Sequence, residues 1–164
     1  MLTENTVKTR LGKGEVCVGA MLSFPSPPLA ELLGRCGSDA VIFEAEHGNI
    51  ELAQIEELAR TCEATGVTPL CRVPAFRPEI IARTLDSGVM GVIVPHVTTA
   101  EQAEAIVQCV KYPPRGHRGF GTIRATGYGS IGGKEYLERA NRETMVILMI
   151  EDPQGVENIE SILR

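Results

Sequence analysis

The chain has 164 residues, a formal net charge of −5 and no tryptophan. Its length suits one ordinary domain, and 43% hydrophobic with 23% charged residues is a globular rather than a disordered composition. The acidic balance gives no reason to expect nucleic-acid or membrane-surface binding, and no apolar run is long enough to span a bilayer.

Met1 to Lys13 is polar and mixed in charge, unlike a signal peptide, so the cytoplasm is the expected location. The five cysteines, Cys17, Cys36, Cys62, Cys71 and Cys109, show no zinc-knuckle spacing. Most fall at apolar positions of predicted helices or strands and read as buried free thiols.

Residues 3 to 11 suit a short helix capped by Thr3. Glu15 to Leu22 reads as strand one. After the turn Ser23 to Pro28, Leu29, Leu32, Leu33 and Cys36 recur at i, i+3, i+4 and i+7 on one helix face. Asp39 to Glu44 is strand two. Leu52, Ile55, Leu58, Ala59 and Cys62 line the next helix, which Gly66 closes. Val67 to Val73 is strand three. Ile80, Ile81 and Leu85 mark a helix, and Gly91 to Pro95 is strand four. Thr98 or Thr99 caps a helix carrying Ala103, Ile106, Val107 and Val110. The long connection Lys111 to Gly133 is rich in Gly, Arg and Pro, and its length predicts a functional or mobile segment. A polar helix around Lys134 to Arg142, strand five over Met145 to Ile150, and a helix over 154 to 163 complete the chain.

Regular alternation of strand and helix predicts βαβ units and a parallel sheet. The tight pitch is that of a barrel, but a (β/α)8 barrel needs about 250 residues. Five units therefore mean either an open sheet or the first part of a barrel.

The carboxyl ends of parallel strands share one face, and chemistry gathers there. That face would collect Glu44, Glu46 and His47 from strand two, Arg72 from strand three, His96 after strand four and Glu151 after strand five. A base, a cation and a metal-binding carboxylate suit chemistry on a small anionic substrate. Each residue also has a plainer reading. His47 could be a turn residue, Arg72 could pair with a surface acid, and Glu151 could be a helix N-terminal charge. His96 and His117 read as structural or solvated. The glycines between Gly119 and Gly133 match no phosphate-loop spacing, which leaves a flexible loop.

Glu46-His47-Gly48, Cys71-Arg72-Val73-Pro74, Leu85-Asp86-Ser87-Gly88 with Val94-Pro95, the run from Lys111 to Gly119, and Met149-Ile150-Glu151 carry a resemblance. In this order they resemble the HpcH/HpaI class of metal-dependent pyruvate aldolases over nearly the whole chain. The Tyr-Pro-Pro run is the most specific of them. The resemblance implies an α/β fold of the parallel (β/α)8 TIM-barrel type, with residues 1–164 forming a single domain that covers about the first five units. It implies a lyase that cleaves a 2-keto-4-hydroxy acid to pyruvate and an aldehyde through a pyruvate enolate. It implies a divalent cation, Mg²⁺ or Mn²⁺ with Co²⁺ as a further candidate, chelating the carboxylate and keto oxygens of pyruvate. Glu151 matches a metal ligand, Arg72 the enolate-stabilising arginine, His47 the catalytic histidine and Asp86 its paired acid. A homo-oligomer is also implied.

Three departures stand out. Glu44 occupies a position where the family usually has aspartate. Met149 replaces a polar residue, often glutamine, two before the metal glutamate. Both positions line the expected substrate site. The second metal carboxylate and strands six to eight of the family lie beyond Arg164. Two alternatives to the aldolase reading follow: a condensing enzyme like the citrate-forming member of siderophore biosynthesis, or a non-catalytic truncated relative.

Overall fold

A computed structural model of the chain describes residues 3–164. Its elements are α1 (Thr6–Gly12), β1 (Gly19–Leu22), α2 (Pro27–Arg35), β2 (Ala40–Glu44), α3 (Leu52–Thr65), β3 (Thr68–Arg72) and α4 (Pro78–Asp86). There follow β4 (Gly91–Val94), α5 (Ala100–Val110), a 3-10 turn (Arg124–Gly129), α6 (Gly133–Glu143), β5 (Met145–Leu148), α7 (Pro153–Glu157) and α8 (Ile159–Ile162).

The five strands pair in parallel in the order β1-β2-β3-β4-β5. Strictly sequential order is the arrangement of a (β/α) barrel. A doubly wound sheet would reverse direction partway across. The fold is therefore α/β, five consecutive units of the barrel type. Among the described residues β1 pairs with β2 alone and β5 with β4 alone.

Period-two alternation gives the sheet two faces. Val41, Phe43, Cys71, Val92 and Val94 pack outward against Ile55, Leu58, Ile81, Leu85 and Ile106 of the helices. Fully burying each such side chain contributes about 2 kcal/mol. Ala40, Ile42, Leu70, Met145 and Ile147 form the opposite face, closed at one end by Val7 of α1. In a barrel this face is the interior, and the same alternation places Glu44, Arg72 and Met149 on it at the carboxyl ends.

Several boundaries differ from expectation for local reasons. Asn5, not Thr3, caps α1, accepting from the Lys8 N–H at 3.0 Å. Strand one begins at Gly19 rather than Glu15, because the Val18 N–H is taken by Asp39 Oδ2 at 2.7 Å. The β5 ladder ends at Leu148, although Met149 N–H still donates to the Val94 carbonyl at 2.9 Å. Thr99 caps α5 and Gly66 closes α3 in the left-handed region, φ 75°. All five cysteines are free, and Cys36, expected on the apolar face of α2, is exposed at its C-cap. Burial pushes the Cys62 thiol up to about 12.

The connection 111–133 is packed rather than loose. Tyr112, Arg118, Arg124, Ala125 and Thr126 are buried in it. Tyr112, Phe120 and Tyr136 meet edge to face, with centroids 5.9 to 6.5 Å apart. As a helix-to-strand connection it lies at the amino ends of the strands, away from the acidic residues at their carboxyl ends. No described helix is long and apolar enough to cross a membrane.

Candidate active site at the carboxyl ends of the strands

Glu44 is the last residue of β2 and is 2% exposed. Its Oε1 accepts from the Glu46 N–H at 2.8 Å and the His47 N–H at 2.9 Å. One carboxylate oxygen thus folds the turn that presents His47. The next residue must be glycine. A Cβ at Gly48 would strike the Glu44 carbonyl and come within 2.6 Å of the Ser23 carbonyl.

Arg72 ends β3 directly opposite Glu44 in the ladder. Its Nη2 lies 2.5 Å from Glu44 Oε2, its Nε lies 3.2 Å from Glu46 Oε2, and Nη1 lies 3.9 Å from Met149 Sδ. Glu44 Oε2, Glu46 Oε2 and Arg72 Nε are buried and meet as charges, without hydrogen-bond alignment. Burial alone would raise the Glu44 carboxyl. The Arg72 guanidinium and the two N–H donors outweigh it and hold the group below its ordinary value.

Glu46 is the hub. Its side chain is 8% exposed, and besides Arg72 it lies 3.8 Å from His47 Nε2 and 3.4 Å from His96 Nε2. The His47 ring is 74% exposed and so open to a substrate. His96, just after β4, has left-handed backbone at φ 56°. Its N–H donates to Glu151 Oε1 at 3.0 Å, and its Nδ1 lies 3.1 Å from Asp152 Oδ2. Hydrogen bonding to Asp152 holds the His96 ring above the usual histidine range, against the desolvation that would lower it.

The structure places Glu44, His47, Arg72, Met149 and Glu151 at the same end of the sheet. It does not bring Asp86 to His47 within the chain. Asp86 ends α4, at the amino-end side of the sheet, and its Oδ1 accepts from Arg118 Nη2 at 2.7 Å. The carboxylate near His47 is Glu46. His96, expected to be structural or solvated, has a ring 60% exposed and contacts to three acids, and Asp152 joins the site unannounced. The available signal was a histidine directly after one strand and an Asp directly after Glu151 on the next.

The donors at this end are carboxylate oxygens, the kind that Mg²⁺ and Mn²⁺ prefer. Glu151 is 34% exposed and reachable. No group of three or more His, Cys, Asp or Glu that could hold a metal ion occurs among the described residues. The donor set fits a divalent cation in kind, and Glu151 is the reachable carboxylate of this chain at that end.

The HpcH/HpaI aldolase/citrate lyase family model matches residues 20–164. The chain is 34% identical over 161 residues to a hydroxypyruvate/pyruvate aldolase of Roseobacter denitrificans, covering 97% of this chain and 62% of that protein. It is 38% identical over 159 residues to a 4-hydroxy-2-oxovalerate aldolase of Novosphingobium aromaticivorans, covering 96% of this chain and 60% of that one. Among solved structures, an HpcH/HpaI aldolase from Desulfitobacterium hafniense superposes with a TM-score of 0.90 at 32% identity, over 96% of this chain and 61% of that chain. The citrate synthase SbnG gives a TM-score of 0.86 at 34% identity, over 97% and 61%. The chain therefore spans about three-fifths of the length of these relatives. With the match of its strands, its motifs and nearly its whole length, the chain belongs to the HpcH/HpaI aldolase/citrate lyase family.

Proposed function

We propose that the protein carrying this chain is a divalent-metal-dependent carbon–carbon lyase that cleaves a 2-keto-4-hydroxy acid to pyruvate and an aldehyde. The observation that carries the reading is Arg72, a guanidinium fixed by Glu44 and Glu46 at the strand ends, on the same face as His47 and Glu151. The relatives whose names are aldolases support it.

The chemistry follows from the charges. His47 takes the proton of the C4 hydroxyl. The C4 oxygen then forms the aldehyde carbonyl as the C3–C4 bond breaks, and the bonding pair passes to C3 of the pyruvate enolate. Arg72 stabilises the enolate oxygen as charge develops there. Proton return to C3 gives pyruvate. Glu46, in the place foreseen for Asp86, orients the His47 ring. Glu151 would hold the divalent cation, which when bound supplies Lewis-acid stabilisation of the keto acid. Met149 lines the interior beside Arg72 and selects the substrate, while Glu44, expected there too, is buried and acts only by holding Arg72 and the turn that carries His47. The protein is cytoplasmic and homo-oligomeric in this reading.

The test is pyruvate release from a panel of 4-hydroxy-2-keto acids, with EDTA treatment and restoration by Mg²⁺, Mn²⁺ or Co²⁺. Metal-restored release supports the reading, and no release from any of them rejects it. A second reading, enolate condensation as in a citrate-forming enzyme, draws on Met149 beside Arg72 and on the likeness to citrate synthase SbnG. Citrate formed from oxaloacetate and acetyl-CoA, without pyruvate release, would favour it.

A further inference from the structure

We propose that His96 is a positioning residue that fixes the Glu151 carboxylate relative to the Arg72–Glu46 pair. The role of Glu151 as metal ligand rests on the proposed lyase reading; the contacts of His96 do not.

Four contacts converge on this one residue, among them a 3.7 Å approach of its Nδ1 to Glu151 Oε1. The backbone N–H bonds Glu151 Oε1 at 3.0 Å. Nδ1 meets Asp152 Oδ2 at 3.1 Å, and Nε2 lies 3.4 Å from Glu46 Oε1. The ring therefore spans from the turn after β2 to the turn after β5, across the end of β3. The N–H reaches Glu151 because the backbone at His96 is left-handed, φ 56°. A non-glycine residue holds such a conformation at a cost, so the surroundings must enforce it. They do so on both sides, and before His96 the Met149 N–H donates to the Val94 carbonyl at 2.9 Å. Val97 N–H donates to the Met149 carbonyl at 3.1 Å, and Asn158 Nδ2 donates to the Thr98 carbonyl at 2.9 Å. Gly155 allows the approach, since a Cβ there would lie 2.7 Å from the Val97 carbonyl. The loop after β4 is thus stitched to the loop after β5, and the His96 ring ties both to Glu46. Glu46 in turn touches Arg72 at 3.2 Å. His96 is the link between the half of the site that carries Arg72 and the half that carries Glu151.

His96→Gly separates the two parts of the residue. Glycine keeps the N–H and adopts the left-handed backbone freely, while the ring is lost. His96→Asn keeps a short polar side chain that also tolerates this backbone. The first measurement is NMR of the full protein with no metal or substrate added. Glu151→Gln should move the His96 amide proton upfield, and His96→Gly should shift the carboxyl carbons of Glu46 and Asp152. Unmoved signals overturn the proposal. The second is Mn²⁺ affinity by proton relaxation, with thermal unfolding as a control on folding. His96→Gly should weaken Mn²⁺ about tenfold, the scale for residues that orient metal ligands, with an unfolding midpoint no lower than wild type. His96→Asn should recover part of the loss. Wild-type Mn²⁺ affinity in His96→Gly overturns the positioning role. If the wild-type protein itself binds no Mn²⁺, the lyase reading fails, and the NMR shifts alone decide whether His96 links the carboxylates.

Discussion

Arg72 Nη2 stands 2.5 Å from Glu44 Oε2, opposite it in the β2–β3 ladder and buried with it. The same guanidinium also meets Glu46, so two carboxylates hold it at the strand ends. Arg72→Lys keeps the charge but replaces a planar fork with a point ammonium. Turnover should fall by roughly tenfold or more, with the larger loss in kcat than in KM. Steady-state kinetics of the lysine variant checks this, and an unaffected rate would remove Arg72 from the proposed chemistry.

Glu44 is held in its charged form by that pairing. Glu44→Gln leaves Arg72 with one carboxylate and should destabilise the fold by about 3 kcal/mol, the scale for breaking a buried ion pair. The pH dependence has a definite sign. The folded carboxyl lies below its ordinary value of 4.5, so its contribution is complete above that value and is lost as pH falls through the lower folded value. Urea unfolding of wild type and variant should converge in acid. A constant difference down to pH 3 would contradict the assignment.

His47 presents an exposed ring beside Glu46 at the turn that Glu44 folds. His47→Ala should cut turnover by roughly a hundredfold or more, the range for a lost general base. It should leave the unfolding midpoint unchanged, since the ring is open to solvent. Wild-type turnover in folded His47→Ala protein would rule the role out.

Lys111 contributes on the alkaline side. It is buried, and its Nζ donates to the Asn141 carbonyl at 3.0 Å and the Thr144 carbonyl at 2.6 Å. Burial, helped by Lys8, Arg115 and Arg118, lowers the ammonium to about 8. Between that value and 10.5 the unfolded chain binds the extra proton, so stability rises with pH in this window and is lost as pH falls through 8. Burial raises the Tyr112 hydroxyl, so above about pH 10 the unfolded phenol ionises first and stability falls again. Lys111→Met should flatten the rise in urea midpoints between pH 8 and 10. An unchanged slope would show that another group drives it.

The sheet edges make a prediction for residues 1–164 expressed alone. Among the described residues β1 and β5 each have one free edge, and Val16 and Val18 before β1 and Met21 within it are 79%, 65% and 51% exposed. Unpaired apolar edges associate. The isolated chain should sediment as more than a monomer, bind Mg²⁺ or Mn²⁺ weakly through Glu151, and release no pyruvate. A folded monomer with tight metal binding and normal turnover would refute this.

The one-dimensional pattern carried the fold. Apolar runs of four or five residues alternating with helical periodicity are enough to specify parallel βα units, because each run must be buried on both faces. That same rule put Glu44, Arg72 and Glu151 at one end of the sheet before any coordinates, since parallel strands must align their carboxyl ends. What the sequence left open was pairing across strands. Asp86 follows the right motif yet closes a helix that runs back to the opposite end, where Arg118 claims it. His96 reads as structural or solvated, and only the left-handed backbone that points its N–H at Glu151 decides what it holds. Glu46 stands beside His47 in sequence, but its contact with Arg72 depends on the packing of two turns. Periodicity records which face a residue takes. Only the packed chain, where buried charges must find partners, decides which of them meet.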